Sequence, residues 1–436
     1  MKRFKVEAAT GALVLAIACM LLFTGAGEYL YGYGVRIVKI GPETGAVDAF
    51  NRIRVSNPSN IFDSKQLYDK SPLYWAEKIY DAAGGSATST HDSTNACVDM
   101  TVAAGDTIIR QTKTHWAYLP GKSQLIYMTG VMDTSATYAG VTARIGAFNE
   151  DSGVFFEQSN GYWYAVVRKE GVDTRTPKGN WNIDKMNGSG YSRVSIDRTK
   201  SQIFVFNYEW LGVGSVWFGF VVDGEIWWAH RADHANNING VYMATPNVPL
   251  RYEIASTSAA ATMRHICTSV ISEGGTDAAA TCNHVIESDK TTLVASVPDT
   301  LYAALVVRLK DGRLDSNVFP TVISALPLTA DAFEWKLMIS PTIAGALTWQ
   351  SNGSGCIQYA IGATANVIKR HSERAVVAAG FVSSTQQARA AAQQVVRQQY
   401  RLGSNIDGVQ DTLVLAIQPM TADLSVRAAM QFVAIP

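Results

Sequence analysis

The sequence predicts a mainly β protein: two antiparallel β-sandwich domains of jelly-roll type, preceded by an N-terminal apolar helix or arm. Three observations predict it. Residues 201–224, SQIFVFNYEWLGVGSVWFGFVVDG, read as two strands joined by a tight turn, since β-branched and aromatic residues suit a pleated surface and Gly212 and Gly214 supply turn geometry. Short apolar segments recur along the chain, separated by turn sequences such as NEDSG at 149–153 and SNG at 159–161. Hydrophobic residues make up 47% of the chain and aromatic residues 10%, enough apolar surface for sheets covered on both faces.

The length of 436 residues fits two or three domains. Residues 1–47 form an N-terminal segment and linker. Lys2, Arg3 and Lys5 precede the uncharged run AATGALVLAIACMLLFTGAG at 8–27. About 20 apolar residues suffice to cross a bilayer as a helix. Three readings stay open: a membrane anchor with its cationic end cytoplasmic, a cleaved signal peptide, or an apolar arm docked between copies of an assembly. A lipoprotein site at Cys19 is disfavoured by the residues before it, Leu15-Ala16-Ile17-Ala18.

Residues 48–287 are the first domain. It opens on an irregular segment, AFNRIRVSNPSNIFDSKQLYDKSPLYW, whose anchors Phe62, Leu67, Tyr68, Leu73, Tyr74 and Trp75 suit a strap that wraps a domain or a neighbour. Residues 84–95, GGSATSTHDSTN, read as a surface loop. Strands are expected at 97–103, 106–114, 123–131, 142–149, 154–159, 162–169, 193–196, the 201–224 hairpin, 225–229, 242–244, 250–256 and 260–271.

Between about Asp48 and Gly275 the chain resembles a family of uncharacterised structural proteins of tailed phages and related viruses. The segments that carry the resemblance are the strap just quoted, IIRQTKTHWAYLPGKSQLIYMTGV, RIGAFNEDSGVFFE, WNIDKM, TKSQIFVFNYEWLGVGSVWFGFVVDGEI, ATPNVPLRYEI and HICTSVISEGG. The middle of this domain also looks like a concanavalin-type jelly roll. The resemblance implies a virion protein, capsid-, spike- or tail-associated, assembled as an oligomer with other virion proteins as partners, and it brings no activity with it; a trimer is the expected form, from the usual build of spikes and fibres. The N-terminal apolar run departs from the family pattern.

Residues 288–436 are the second sandwich, with strands expected at 301–309, 318–325, 333–339, 347–350, 356–361, 375–381, 412–417 and 425–434. Ala388, Ala391, Ala392, Val395 and Val396 recur at helical spacing, which predicts one helix over 385–401. That helix packs on the sandwich edge or meets a neighbouring subunit.

Lys plus Arg equal Asp plus Glu at 37 each, so the chain lacks the cationic surface that nucleic acid requires. Charged residues are only 17%, which suits a surface covered by partners. The five cysteines, Cys19, Cys97, Cys267, Cys282 and Cys356, form no C-x-x-C pair; they read as free thiols, with a Cys267–Cys282 bridge as the exception.

Catalytic spacing is sparse: there is no G-x-S-x-G, P-loop, H-E-x-x-H or dinucleotide motif. His230, Asp233 and His234 read as a polar loop rather than a metal site, and Asn149, Glu150 and Asp151 as a turn rather than a Ca²⁺ site. His265 and Cys267 read as strand residues rather than a nucleophile and its base. Asp223 and Glu225 have the period of paired glycosidase carboxylates but sit at a turn. The sequons at Asn187 and Asn352 matter only in a eukaryotic secretory pathway. The expectation is therefore no enzyme, no metal and no cofactor. Trp163, Trp227 and Trp228 are the candidate contact residues, for a host glycan or for another subunit; Trp227 and Trp228 must point to opposite faces of their strand.

Overall fold

A computed structural model describes residues 56–435 apart from 83, 136–137, 276–281, 289–290, 330, 352–354, 371–374, 384–391 and 396–399. The apolar run 8–27, with the helix or arm expected there, lies outside the described residues. Among the described residues no helix is long and apolar enough to cross a membrane.

Asn57–Pro436 forms one compact unit containing two sandwiches. The first is built from β1 (Ser59–Lys65), β2 (Trp75–Tyr80), β3 (Thr88–Asp92), β4 (Cys97–Val102), β5 (Thr107–Thr112), β6 (Gln124–Val131), β7 (Val141–Phe148), β8 (Ser152–Ser159), β9 (Tyr162–Lys169), β10 (Val172–Pro177), β11 (Gln202–Tyr208), β12 (Val216–Val222), β13 (Glu225–Ala232), β14 (Leu250–Ser256) and β15 (Ala261–Ser272). One sheet runs β13-β12-β11-β6-β15-β4-β3, with β1 also on β15; the other runs β10-β9-β8-β7-β14-β5-β2. The chain passes repeatedly from sheet to sheet, after β1, β2, β4, β5, β6, β10, β13 and β14, which is the winding of a jelly roll.

The two sheets meet through aromatic rings. Phe156 on β8 lies 4.8 Å from Phe220, 5.5 Å from both Phe206 and Phe218, 5.9 Å from Phe204 and 5.6 Å from Trp181. Alternation on β11 and β12 sends Phe204, Phe206, Phe218 and Phe220 inward together, all fully buried. Both strands of the 201–224 hairpin are thus interior strands of their sheet, toward its β13 end.

The strap closes on its own sandwich rather than on a neighbour. β1 pairs with β15 in one sheet and β2 with β5 in the other. Beneath them Arg110, on β5, is fully buried. Its Nε donates to His265 Nδ1 at 2.9 Å, and its Nη atoms reach Glu77, Gln66 Oε1 at 3.2 Å and the Lys70 carbonyl. The His265 ring stacks on Tyr252 at 4.1 Å, and Trp75 lies 4.3 Å away. One guanidinium thus ties the strap to both sheets.

The second sandwich comprises β16 (Cys282–Glu287), β17 (Leu293–Ala295), β18 (Tyr302–Leu309), β19 (Asn317–Pro327), β20 (Phe333–Ile339), β21 (Thr342–Ile343), β22 (Gln350–Ser351), β23 (Ile357–Ile361), β24 (Ile368–Arg370), β25 (Val376–Val382), β26 (Ala392–Val395), β27 (Thr412–Pro419) and β28 (Leu424–Ile435). A sheet β16-β28-β19-β26, with β17 on β28, faces a sheet β22-β23-β18-β27-β20-β25 across a core that includes Leu305, Leu337, Leu415, Met430 and Phe432.

Several expectations change. The helix over 385–401 is not formed where the chain is described: Ala392–Val395 is a strand on the free side of β19, pairing Val322–Ala325, and the flanking residues 384–391 and 396–399 lie outside the described residues. The open ladder of β19 overrides a local alanine pattern worth only tenths of a kcal/mol per residue. β16 pairs with β28, so Cys282–Glu287 lies in a sheet of the second sandwich. The loop at 84–95 contains β3, a polar edge strand on β4, and 193–196 and 242–244 form no strand. Cys267 is a free thiol, so the Cys267–Cys282 bridge is not formed.

Removing one partner of a buried charge network leaves the others uncompensated. The Arg110→Ala variant is expected to lose about 3–5 kcal/mol of stability in urea unfolding. A loss under about 1 kcal/mol would show that the strap does not depend on this residue.

Candidate functional site

The structure does not bring the three candidate tryptophans together. Trp163, on β9, is 6% exposed and faces the core, 6.3 Å from Phe204 and 6.2 Å from Phe220. Trp227 packs half-buried against the same core, with the exposed Tyr191 ring 5.6 Å away. Trp228 takes the opposite face of β13, lying across Gly219, where an added Cβ would stand 2.8 Å from its ring. There it meets Trp217 edge-on at 5.5 Å, and the Arg231 guanidinium sits 5.0 Å over Trp217. Trp163 is thus corrected to a core residue: strand alternation after Gly161 points it inward, and Tyr162 beside it is 69% exposed.

The motifs of His, Cys and acid form no shared ligand cluster among the described residues, although His230 and His234 border one cavity of about 410 Å³. His230 is buried, with Nδ1 3.0 Å from Asn182 Oδ1, whereas His234 Nδ1 lies 2.7 Å from the Gly214 carbonyl and stacks on Tyr242. His265 is spent on Arg110. Asp223 and Glu225 flank the β12–β13 turn, where Asp223 has φ of 54°. Asn149 Oδ1 accepts from the backbone N–H of Asp151 and Ser152 at 2.9 and 2.8 Å, a side-chain-closed turn. Among the described residues, Asp92, Cys97 and Asp99 are the one group of three metal-capable side chains close enough to share an ion. Burial and the Asp99 charge push the Cys97 thiol up to about 12, and Arg264 Nε already holds Asp99 Oδ1 at 2.9 Å. Both facts disfavour a metal there.

Sequence reasoning missed the outer face of the second large sheet. Glu253, Arg144 and Glu157 are cross-strand neighbours on β14, β7 and β8. Arg144 Nε donates to Glu157 Oε2 at 2.7 Å, and its Nη1 donates to Glu253. Glu157 also meets Arg175 at 3.0 Å, and Arg168 grips Asp173 at 2.7 and 3.1 Å. The charges stand around an apolar patch, Phe148, Phe155 and Val166, with Arg168 5.0 Å over Phe155 and Arg251 5.4 Å over Phe148. Burial lowers the Arg144 pKa, but Glu253 and Glu157 outweigh it and the net shift is upward. Glycoside hydrolysis needs one carboxyl to give a proton and a second to attack or activate water. Here Glu157 and Glu253 are engaged by guanidinium groups instead.

Two of the concavities among the described residues bear on binding. At the rim of the first sandwich a pocket of about 450 Å³ is bordered by Tyr162, Lys178, Asp197 and Arg198. The Tyr138 ring, 47% exposed, lies against Gly161, with the Arg198 guanidinium 4.8 Å over it.

The larger cleft, about 600 Å³, lies between the sandwiches. Its walls are fixed by Ser404 N–H on the Lys113 carbonyl at 2.9 Å, Thr245 Oγ1 on Asp315 Oδ2 at 2.9 Å, and Arg401, whose guanidinium lies 5.5 Å from Trp116 and 5.7 Å from Phe319. Gly403 permits the approach, since an added Cβ would stand 2.6 Å from the Lys113 carbonyl oxygen. His115, Ser152 and Arg251 are buried in the floor. Burial pushes the His115 imidazole down to about 4, against the pull of Asp315.

No protein-family model matches the chain, and no curated protein matches it in sequence. Among solved structures it is similar to an endo-1,3-β-glucanase from Streptomyces sioyaensis, at 11% identity over 51% of this chain and 99% of that one, with a TM-score of 0.34. A protein of unknown function from Shewanella oneidensis MR-1 matches at 11% identity over 56% of this chain and all (100%) of that one, with a TM-score of 0.32. The carbohydrate recognition domain of Emp47p matches at 10% identity over 49% of this chain and 96% of that one, with a TM-score of 0.31. Likenesses at this level carry no inference about function.

A histidine whose folded pKa lies below its unfolded value opposes protonation of the folded state, so its contribution is complete above the unfolded value of about 6.5 and is lost as pH falls toward the folded one. His115 is therefore expected to remove up to about 3 kcal/mol of stability between pH 6.5 and pH 4. His265, also held well below its usual value by burial and then by Arg110, acts in the same direction. Urea unfolding across this range should show the fall, and His115→Gln should flatten part of it. An unchanged slope in that variant would contradict the assignment.

Proposed function

We propose that this chain is a non-catalytic structural protein that assembles with copies of itself, and that its place is the virion of a bacteriophage. The observation that carries the assembly is β25. Its seven residues, VVAAGFV, hold no charge and no proline. It ends its sheet, pairing with β20 on one side and with no second strand among the described residues. Phe381 on it is 70% exposed. Edge strands are ordinarily blunted by charge, proline or bulges; β25 has neither charge nor proline, and its one irregularity lies at its start, at Val377, so the apolar stretch Ala378–Val382 remains a template for another chain. A second copy placed there satisfies the free ladder and covers Phe381. The low charge and neutral balance support the same reading, and the paired carboxylates support a role without acid–base chemistry. The virion location rests on the sequence resemblance of residues 48–275.

A second reading, compatible with the first, is attachment to a host glycan through the rim loops of the first sandwich. It is favoured by the exposed rings of Tyr138 and Tyr162 beside Arg198 and Asp197, which offer a stacking face with polar neighbours.

Sedimentation velocity of the full chain tests assembly. An oligomer is expected, three copies being the anticipated number. Introducing charge on the edge, Ala379→Lys with Phe381→Glu, is expected to weaken association at least tenfold without lowering the unfolding midpoint. A wild-type monomer at high concentration, or an oligomer indifferent to both substitutions, would overturn the proposal.

A further inference from the structure

The cleft between the two sandwiches combines features that neither sandwich has alone. In its floor His115 is 7% exposed and Ser152 and Arg251 are fully buried, yet His115 Nδ1, Ser152 Oγ and Arg251 Nε make no hydrogen bond. Buried polar atoms left unpaired are uncommon and individually costly. Around the mouth stand carboxylates: Glu150, Asp151 and Glu170 from the first sandwich and Asp315 from the second. Leu314 and Ile406 supply an apolar strip on the wall opposite.

This chemistry narrows the ligand. An anion would meet four carboxylates. A cation would find two of the four carboxylates already engaged, Glu150 by the Arg251 guanidinium in the floor and Asp315 by Thr245. A hydroxyl suits both sets of groups, because it donates to a carboxylate and accepts from a guanidinium or imidazole N–H in the same geometry. Several hydroxyls on a compact frame, with C–H faces for the apolar strip, describe a sugar. The volume, about 600 Å³, lies within the range of small-molecule sites. We infer that the cleft between the sandwiches binds a neutral carbohydrate, a short stretch of a glycan chain.

The inference deepens the attachment reading and rests on it, but it moves the sugar from the rim to the cleft. Arg251 Nη2 donates to Glu150 Oε1 at 2.6 Å, which fixes the guanidinium with Nε uncommitted. Thr245 fixes Asp315 in the same way across the joint, so the two walls hold their distance. Asp151 and Glu170 are exposed and carry no part of the fold's core, which makes them suitable to alter.

Isothermal titration of the full chain with cellotetraose, laminaritetraose, mannotetraose and chitotetraose, and with tetragalacturonate as an acidic control, tests this. Binding of at least one neutral tetrasaccharide is expected, weakened at least tenfold by Asp151→Ala with Glu170→Ala and unaffected by Tyr162→Ala, with the acidic sugar excluded. Ser152→Ala, a smaller change in the floor, should weaken it severalfold. Loss of binding with Tyr162→Ala alone overturns the cleft while leaving rim attachment intact. No binding to any neutral sugar overturns both. Binding that survives every substitution, or a preference for tetragalacturonate, also overturns the cleft assignment.

Discussion

The interlocking of rings around Phe156 sets the register of the first sandwich. β8 sends Phe156 between β11 and β12, where Phe204, Phe206, Phe218 and Phe220 close around it. A shift of one residue in either strand would turn that strand's pair, Phe204 and Phe206 or Phe218 and Phe220, to the outer face and take two rings away from Phe156. Everything beyond the sheets follows from this seal. The rings fill the middle of the sandwich, and the concavities lie toward its margins and at the joint with the second sandwich, one of about 410 Å³ opening between β9–β10 and β12–β13. Aromatic residues promising in the sequence, Trp163 above all, are consumed by the seal.

Charge is arranged to the same end. Arg110 is buried among neutral and acidic partners that knot the strap to both sheets. On the outer face of the second large sheet, Arg144, Arg168 and Arg175 are matched with Glu157, Glu253 and Asp173. Paired in this way, these groups orient one another and cover apolar patches, but they offer no uncommitted acid and base facing one bond. The low charge of the chain and the apolar edge at β25 are the features on which the proposed contact between copies rests.

What the sequence revealed and what it hid divide along physical lines. Local alternation and Gly turns marked the 201–224 hairpin, β8, β9, β18, β20 and β27, because their patterns are set within a few residues. β16 and β26 were misassigned because their pairing is with strands far along the chain: Cys282–Glu287 with β28, and Ala392–Val395 with β19. In the second case an Ala- and Gln-rich segment with helical spacing took the strand that an open ladder offered. The outer-face charges were invisible for a related reason. Arg144, Glu157 and Glu253 lie on three strands, and only their register makes them neighbours. The cleft floor is harder still, since His115, Ser152 and Arg251 meet Asp315 only where two sandwiches join. The Trp227-Trp228 dipeptide was legible as a pair on opposite faces, whereas the inward turn of Trp163 depended on the Asn160-Gly161 turn ahead of it.

The account holds that the core is complete within one chain and that the β25 edge is completed by another. Hydrogen–deuterium exchange measured across a dilution series addresses both halves at once. Amides of β8, β11 and β12 should exchange slowly and identically at every concentration, while those of 376–382 become protected as copies associate. Rapid exchange at 376–382 in the most concentrated sample, or protection there that dilution never relieves, would contradict the account.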